Sequence, residues 1–377
     1  MVLDLGLSKA VAGEAATRVR IGAGHIYGGV SFAPDGSEIG VGKQRKLSAP
    51  QAWFGDPLRD TTTTRYSLPG GRRIRRYHAD PSRFVHLGEA VVYVTGLGAR
   101  GYRVTRYGPR GREHLWAGET WPYVSPTQIP GGFAVGIGNR LLAGTAEAGS
   151  GLREIPLPGI SLEHPTARIA HLTSDPLSGR LAFVRIGPHR EPPAIVVLDA
   201  GFGVAGLVAS VCDHPYWLSF CGPGTLLVRG AGVLESWQAG PPLALAASAS
   251  SVPLASLMPL PLAGLIAVDP GNITKTRQRL WLDARTLTPS DAPPALRDAP
   301  QFWVSPSGQH AAVRRGRGHL EVRDLRLDEI ARILSRPLAT ASPADLATVR
   351  SVQSLSLGPA ATAAIDLLRA CLEHRFA

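Results

Sequence analysis

Cysteine is scarce in this chain of 377 residues: Cys212, Cys221 and Cys371 are the whole set, and no two of them form a CxxC pair. Three unpaired positions give no disulfide ladder and fit a reducing compartment. Long apolar runs are missing as well. The nearest approach, Pro241 to Ile266, is broken repeatedly by proline and serine, so no spanning helix of about eighteen apolar residues is expected. The opening MVLDLGLSKAVAGEAATRV has no basic segment followed by an unbroken apolar stretch, which is not the pattern of a secretory signal. The expected location is therefore cytoplasmic. Lysine occurs only at positions 9, 43, 46 and 275, and charged residues make up 18% of the chain, a low share for a globular protein.

The charge that is present is mostly arginine, and the net charge is +11. Such a surface attracts nucleic acid, an anionic membrane or an acidic protein. An excess of arginine together with alanine, glycine and proline is also what a GC-rich genome produces. Gly 43 and Pro 32 are spread along the chain as punctuation, which favours many short strands joined by turns over long helices.

That punctuation repeats about every 45 residues, the range of propeller blades. The clearest copies are Val30-Ser31-Phe32-Ala33-Pro34-Asp35-Gly36 near the start and Trp303-Val304-Ser305-Pro306-Ser307-Gly308 near the end. In each, an apolar strand meets a turn in which proline presets φ and glycine accepts positive φ, and a second strand comes next. Weaker copies begin at Phe84, Tyr123, His171, Trp217 and Leu257, which makes about seven units. A third strand ending at Asp recurs in Ala194–Asp199, Arg279–Asp283 and His319–Asp324.

The segment Gly24-His25-Ile26-Tyr27 with Phe32-Ala33-Pro34-Asp35-Gly36 resembles the GH and SPDG boxes of a WD-repeat blade, and the Ser305–Gly308 copy resembles a degenerate version. Over residues about 17 to 325 the chain is thus similar to WD-repeat proteins, although Trp-Asp dipeptides are missing and Trp281-Leu282-Asp283 is the nearest. The resemblance implies an all-β, about seven-bladed β-propeller over residues 1–325. After His319–Asp324 the chain turns helical, so the last unit lacks its outer strand. Thr17–Ile21 alternates apolar and polar and is expected to fill that place, closing the ring and removing the free edge.

Residues 326–377 change period. Leu327, Ile330, Ala331 and Leu334 fall on one helical face. A second helix is predicted from Ser342-Pro343-Ala344-Asp345, with a serine cap, proline in the first turn and an acid behind it. A third is predicted from Gly358-Pro359 to about Arg375. This short α-helical C-terminal appendage is too small to stand alone and is expected to pack on the propeller or on a partner.

No catalytic, cofactor or metal residue is assigned. Eleven histidines include no HExxH and no paired Cys/His spacing, and His164, His171, His189 and His214 fall in different units. No G-x-S-x-G stands in a strand–turn–helix setting. Gly96-Leu97-Gly98-Ala99-Arg100-Gly101 superficially matches a nucleotide fingerprint, but Tyr102-Arg103-Val104-Thr105-Arg106-Tyr107 immediately after it reads as a strand. A dinucleotide site needs a helix N-terminus there, so a hairpin loop is expected. Acidic clusters suited to calcium are lacking.

The residues offered as partner-binding are Trp53, in an insertion outside the repeat, and the basic run Arg72, Arg73, Arg75, Arg76 and Tyr77, expected in a loop between the first two blades. Arginine forks suit phosphate or carboxylate, and Tyr77 or Tyr66 could stack on a base. Arg314-Arg315-Gly316-Arg317 is a second basic run. The reading is a non-enzymatic protein–protein interaction scaffold within a bacterial multi-protein assembly, without cofactors or membrane insertion. By its general layout the chain resembles the propeller component of MoxR-type AAA+ ATPase and von Willebrand-A systems, which implies such a protein as partner. Two alternatives stay open: a nucleic-acid-binding propeller using the arginine-rich loops, and a hydrolase with a site at the central channel.

Overall fold

The computed structural model describes residues 5–22, 26–44, 61–68, 70–79, 83–96, 101–118, 125–160, 162, 164, 167–188, 191–210, 215–222, 224–250, 256–269, 279–316, 318–353 and 355–376. Helix α1 (Leu5–Glu14) leads directly into strand β1 (Ala16–Arg20). Blade 1 comes next with β2 (Ile26–Phe32), β3 (Glu38–Gln44), β4 (Thr61–Ser67) and β5 (Arg73–Tyr77). Blade 2 has β6 (Phe84–Leu87), β7 (Ala90–Gly96), β8 (Tyr102–Gly108) and β9 (Gly111–Gly118). Blade 3 has β10 (Pro126–Ile129), β11 (Gly132–Ile137), β12 (Arg140–Thr145) and the two-residue β13 (Arg153–Glu154).

Blade 4 runs through β14 (Arg168–Ser174), β15 (Leu181–Ile186), β16 (Ala194–Leu198) and β17 (Val204–Ala209). Blade 5 runs through β18 (Trp217–Phe220), β19 (Thr225–Arg229), β20 (Val233–Gln238) and β21 (Ala244–Ser250). Blade 6 shows three strands among the described residues, β22 (Ser256–Leu260), β23 (Leu265–Asp269) and β24 (Leu280–Asp283), and blade 7 has β25 (Phe302–Val304), β26 (His310–Arg314) and β27 (His319–Asp324). All pairings are antiparallel between neighbours, and first strands of successive blades touch near the axis, β2 with β6, β6 with β10, β10 with β14, β14 with β18 and β22 with β25. The chain is a seven-bladed β-propeller.

The expected closure is present. Strand β1 lies antiparallel on β27, with Thr17 opposite Val322, Arg18 opposite Glu321 and Val19 opposite Leu320, so blade 7 is completed by the other end of the chain. Apolar packing then runs joint by joint. Val19, Ile39, Val41 and Leu320 fill the joint between blades 7 and 1, and Tyr77, Phe84 and Tyr93 that between blades 1 and 2. Phe133 and Val92 fill the next, and Phe183 with Leu141 the one after. Each blade is therefore buried on both faces, which explains why so many of its strands read as unbroken apolar runs rather than as alternating ones.

The recurring turns work as their sequence suggests. Asp35 Oδ1 accepts from the Ser37 N–H at 3.0 Å and from its hydroxyl at 2.7 Å. Asp175 accepts in the same way from the Leu177 N–H at 3.0 Å. Gly36 has φ near +72° and a Cβ there would run into the His310 ring of blade 7, so both backbone and space require glycine. One repeating feature escapes sequence reading. In blades 1, 2, 4 and 5 the outer strand carries an extra residue, in its first half at Ile74, Ala205 and Ala246 and past its middle at Leu115. These are β-bulges that turn the blade's last strand.

The predicted helices are present as α2 (Leu325–Leu334), α3 (Pro343–Arg350) and α4 (Pro359–Phe376). Asp324, the last residue of β27, caps α2 by accepting from Arg326 N at 2.9 Å. Ser342 and Asp345 cap α3 reciprocally. Helix α1 was not foreseen. It contributes Val11 and Ala15 to one core with Leu327, Ile330, Val349, Leu368 and Leu372, so the helical cluster draws on both ends of the chain. No helix of the described residues is long and apolar enough to cross a membrane.

Val19 is fully buried in the closing strand. Val19→Asp places an unpaired carboxylate there and is expected to cost about 3–5 kcal/mol, read as a large drop in urea midpoint. The exposed neighbour substitution Arg18→Ala is expected to stay within about 0.5 kcal/mol.

Candidate functional site

Polar chemistry in this ring concentrates at the joints between blades. At the joint of blades 1 and 2, Ser31 Oγ lies 3.2 Å from His86 Nε2, and His86 Nδ1 lies 3.6 Å from Glu38 Oε2, too long for a full hydrogen bond. Arg65 donates Nε to the same Glu38 oxygen at 2.7 Å and reaches Tyr77 Oη at 3.2 Å. Burial works to raise the Glu38 carboxyl, but His86 and Arg65 outweigh it and hold it below the usual range. Burial likewise keeps His86 below its ordinary value against the pull of Glu38.

Hydroxyl, imidazole and carboxylate in a row are the elements of a nucleophile–base–acid chain. Here they are enclosed. His86 is 1% exposed, and a Cβ on Gly40 would stand 2.5 Å from Ser31 Oγ, so the hydroxyl fills its own niche against β3. The row ties two blades together.

Arg106 ties blades 2 and 3. It is 2% exposed, and its guanidinium donates to Thr145 O at 2.9 Å, Ser150 Oγ at 2.8 Å, Ser150 O at 2.9 Å and Glu113 Oε2 at 2.6 Å. Hydrogen bonding to Arg106 holds Glu113 below the usual carboxylate range. Other joints use other groups. Thr127 and Ser174 hydroxyls meet at 2.8 Å between blades 3 and 4, and Arg180 donates to Ala239 O between blades 4 and 5. Cys221 Sγ donates to Leu265 O at 3.2 Å between blades 5 and 6, and burial pushes its thiol up to about 12. Lys43 reaches Ile21 O and Gly22 O at the closure.

From Arg73 onward the basic run proves to be the outer strand of blade 1 rather than a loop, with Arg72 just ahead of it. Arg72, Arg73, Arg75 and Arg76 are exposed and Tyr77 is buried. Tyr77 packs edge-on against Phe84 at 5.3 Å and Tyr107 at 5.8 Å, and Tyr66 is buried as well, so neither ring faces solvent for stacking. The Arg75 guanidinium lies 4.0 Å over the Tyr107 ring. None of the four arginines makes an ion pair among the described residues. Arg18 and Arg20 on β1 and Arg112 on β9 are also exposed, extending an arginine rim over blades 7, 1 and 2. Trp53 lies outside the described residues, as do Gly24, His25, Trp121, His189, His214 and Arg317.

A second feature is a cleft of about 1080 Å³ between blades 6 and 7 and the helices, with Leu260, Leu262 and Ala295 on one wall and Leu325, Ala331 and Arg332 on the other. Its charged groups are largely paired. Arg323 bridges Glu321 at 2.7 Å and Asp328 at 2.5 Å, and Arg315 joins Glu321 at 3.1 Å, which places part of the second basic run in an ion-pair network. These contacts fix α2 to blade 7.

The remaining candidates do not converge. His171 sits at a bulge of β14 with φ near +51°, and burial, with Arg168 beside it, pushes its imidazole down to about 4. Among the described residues no three His, Cys, Asp or Glu side chains are grouped to hold a metal ion. Strands β7 and β8 pair across the Gly96–Gly101 segment, the hairpin expected there.

Comparison with solved structures returns the fold. A chain of the mitotic checkpoint complex superposes with a TM-score of 0.50 over 81% of this chain and 94% of that one, at 11% identity. BamB from Moraxella catarrhalis gives 0.48 over 80% and 86% at 11% identity, and the Dos1 propeller 0.47 over 83% and 95% at 11%. No family model and no curated protein sequence matches the chain.

The joints and the rim differ in what they contribute to stability. Arg106→Ala leaves buried carbonyls and Glu113 without their donor and is expected to cost about 3 kcal/mol, whereas Arg75→Ala removes an exposed cation–π contact and costs about 0.5–1 kcal/mol. Chemical denaturation of the two variants reads the contrast.

Stability should also depend on pH. His86, His171 and His310 are all held below the ordinary imidazole value of 6.5 by burial first. The unfolded chain therefore binds more protons over the window from about 6.5 down to the lowered values, and stability falls as pH falls through it. Below about 4.5 the lowered carboxylates Glu38, Glu113 and Glu321 add to the loss. The melting temperature is expected to decline from pH 7 to 4. His171→Asn, which tolerates positive φ, should make that decline shallower.

Proposed function

We propose that the chain is a non-enzymatic scaffold that docks an acidic protein surface on the arginine rim of blade 1, within a bacterial multi-protein assembly. The observation that carries this reading is the row Arg72, Arg73, Arg75 and Arg76, exposed along the outer strand β5 and the residue just before it, with no ion pair among the described residues. Elsewhere the structure pairs its arginines readily, as at Arg323 and Arg326. Among the described residues these guanidiniums meet no carboxylate, and an external carboxylate array supplies them with bidentate contacts. The cleft between blades 6 and 7 and the helices offers a second docking face for the same assembly. A MoxR-type AAA+ ATPase or a von Willebrand-A protein is the partner class that the overall layout suggests, and it is the first to test.

The same charge supports a second reading, binding of nucleic acid. With Tyr66 and Tyr77 buried, that binding would rest on phosphate contacts alone and would fall steeply with salt.

One variant separates the two. Replacing all four arginines by alanine is expected to abolish retention of an acidic partner recovered from the native host, while circular dichroism stays unchanged and stability falls only by about 0.5–1 kcal/mol, the contribution of the Arg75 contact. Fluorescence anisotropy with single- and double-stranded DNA over a salt series checks the alternative. Tight DNA binding whose salt slope drops by about one per lost phosphate contact in the variant would replace the scaffold reading. Equal partner capture by wild type and variant would remove the rim from it.

A further inference from the structure

The outer rim of this ring has two characters. Blades 7, 1, 2 and 3 end in strands with charged side chains: Arg18 and Arg20 on β1, Arg73, Arg75 and Arg76 on β5, Arg112 and Glu113 on β9, and Arg153 and Glu154 on β13. Charge on an outer strand is the usual protection of an unpaired edge against another strand, and the two-residue length of β13 is a second form of it. Blades 4 and 5 have neither protection. Strand β17 reads Val-Ala-Gly-Leu-Val-Ala and β21 reads Ala-Leu-Ala-Ala-Ser-Ala-Ser.

The sequence has no charged residue between Asp199 and Asp213, and none from Ala239 to Val268. Val204 is 36% exposed, Leu207 50% and Leu245 43%, three of the few large apolar side chains on the surface. Among the described residues no strand pairs with the outer side of β17 or β21. The bulges at Ala205 and Ala246 lie near the start of each strand, so four consecutive residues keep regular register behind them, Gly206–Ala209 and Ala247–Ser250. The two edges are neighbours: a Cβ on Gly206 would stand 2.9 Å from Leu243 Cβ, just ahead of β21.

We infer that this uncharged rim is a self-association surface, where two copies of the chain pair edge to edge, antiparallel, through blade 5 and its neighbour blade 4. Charge selects the second copy as occupant. In a ring of seven, blades 4 and 5 stand across the axis from blade 1. Back-to-back pairing through them therefore sets the two arginine rims as far apart as two copies of a +11 chain allow. Contact through β1, β5 or β9 would oppose arginine to arginine. An antiparallel pair about a two-fold axis needs a segment complementary to itself. Ala247-Ser248-Ala249-Ser250 meets this requirement, since its small uncharged side chains can face their own copies without steric or electrostatic conflict. Leu245 and Leu207 then leave water on both copies.

The dimer leaves blade 1 free, so it is independent of what the rim binds. The test is light scattering after size exclusion and sedimentation equilibrium on the full chain over a concentration series. Wild type is expected to be dimeric. Leu245→Lys, at an already exposed position, is expected to weaken association by about a hundredfold or more with an unchanged circular dichroism spectrum. The four-alanine rim variant is expected to dimerise as wild type does.

Geometry has its own readout. Cysteine placed singly at Ala247, Ser248 or Ala249 should give a disulfide-linked dimer on oxidation for the residue nearest the axis, since directly opposed residues lie within bridging distance. Arg75→Cys should not. A wild type that stays monomeric at every concentration overturns the inference, as does a dimer that Leu245→Lys leaves intact or that cross-links through Arg75→Cys.

Discussion

The pairing of β1 with β27 is the contact on which the rest of this molecule depends. A propeller is a ring of units that each touch only their neighbours, and without closure blade 7 would present an open edge. The register also fixes where the two ends of the chain go. Ala16 sits opposite Arg323, and Asp324 N donates to Ala15 O at 2.7 Å. Strand β1 therefore begins where β27 ends, and α1 and α2 leave the same end of blade 7 side by side. The helical core of Val11, Ile330 and Leu368 and the cleft beneath it are consequences of that register.

Between blades the apolar clusters supply most of the burial, and the polar groups at each joint set which blade face meets which. Their chemistry differs from joint to joint: a serine–histidine pair, a buried arginine, two hydroxyls, a thiol, a lysine. Nearest-neighbour architectures permit this, because a joint must satisfy only the two blades that form it. Buried groups left half-satisfied are costly, and the four acceptors around Arg106 show one joint solved within its own two blades. A sequence that solves each joint separately keeps the spacing of the repeat and loses its consensus residues.

That explains what could be read in advance. The turn glycines and prolines, set by backbone geometry alone, marked the units from Val30 to Gly308, and alternation in Thr17–Ile21 marked the closing strand. Period and capping residues marked α2, α3 and α4. Helix α1 gave no such signal, because LGLSKAVAGE is apolar without a sharp stripe and its burial depends on helices more than three hundred residues away. Arg72 to Tyr77 was legible as charge and illegible as strand. Arginine is a poor marker of an outer edge, and only the pairing of β5 with β4 shows that the aromatic end turns inward. His86 and Arg106 resembled other scattered polar residues, since their roles come from partners 55 and 44 positions away.

The outer strands show how one backbone plan carries different surfaces. The outer strands of four blades each carry a bulge, at Ile74, Leu115, Ala205 and Ala246, so the fold presents a similar edge each time. What differs is side-chain chemistry, arginine in blades 1 and 2 and small or aliphatic residues in blades 4 and 5. Since an edge offers every approaching strand the same backbone donors and acceptors, the side chains decide which strands are repelled. The ring thus divides its rim into a sector that refuses a second copy of itself and a sector that has nothing to refuse it with. The two sectors lie on opposite sides of the axis, so contact through one leaves the other open.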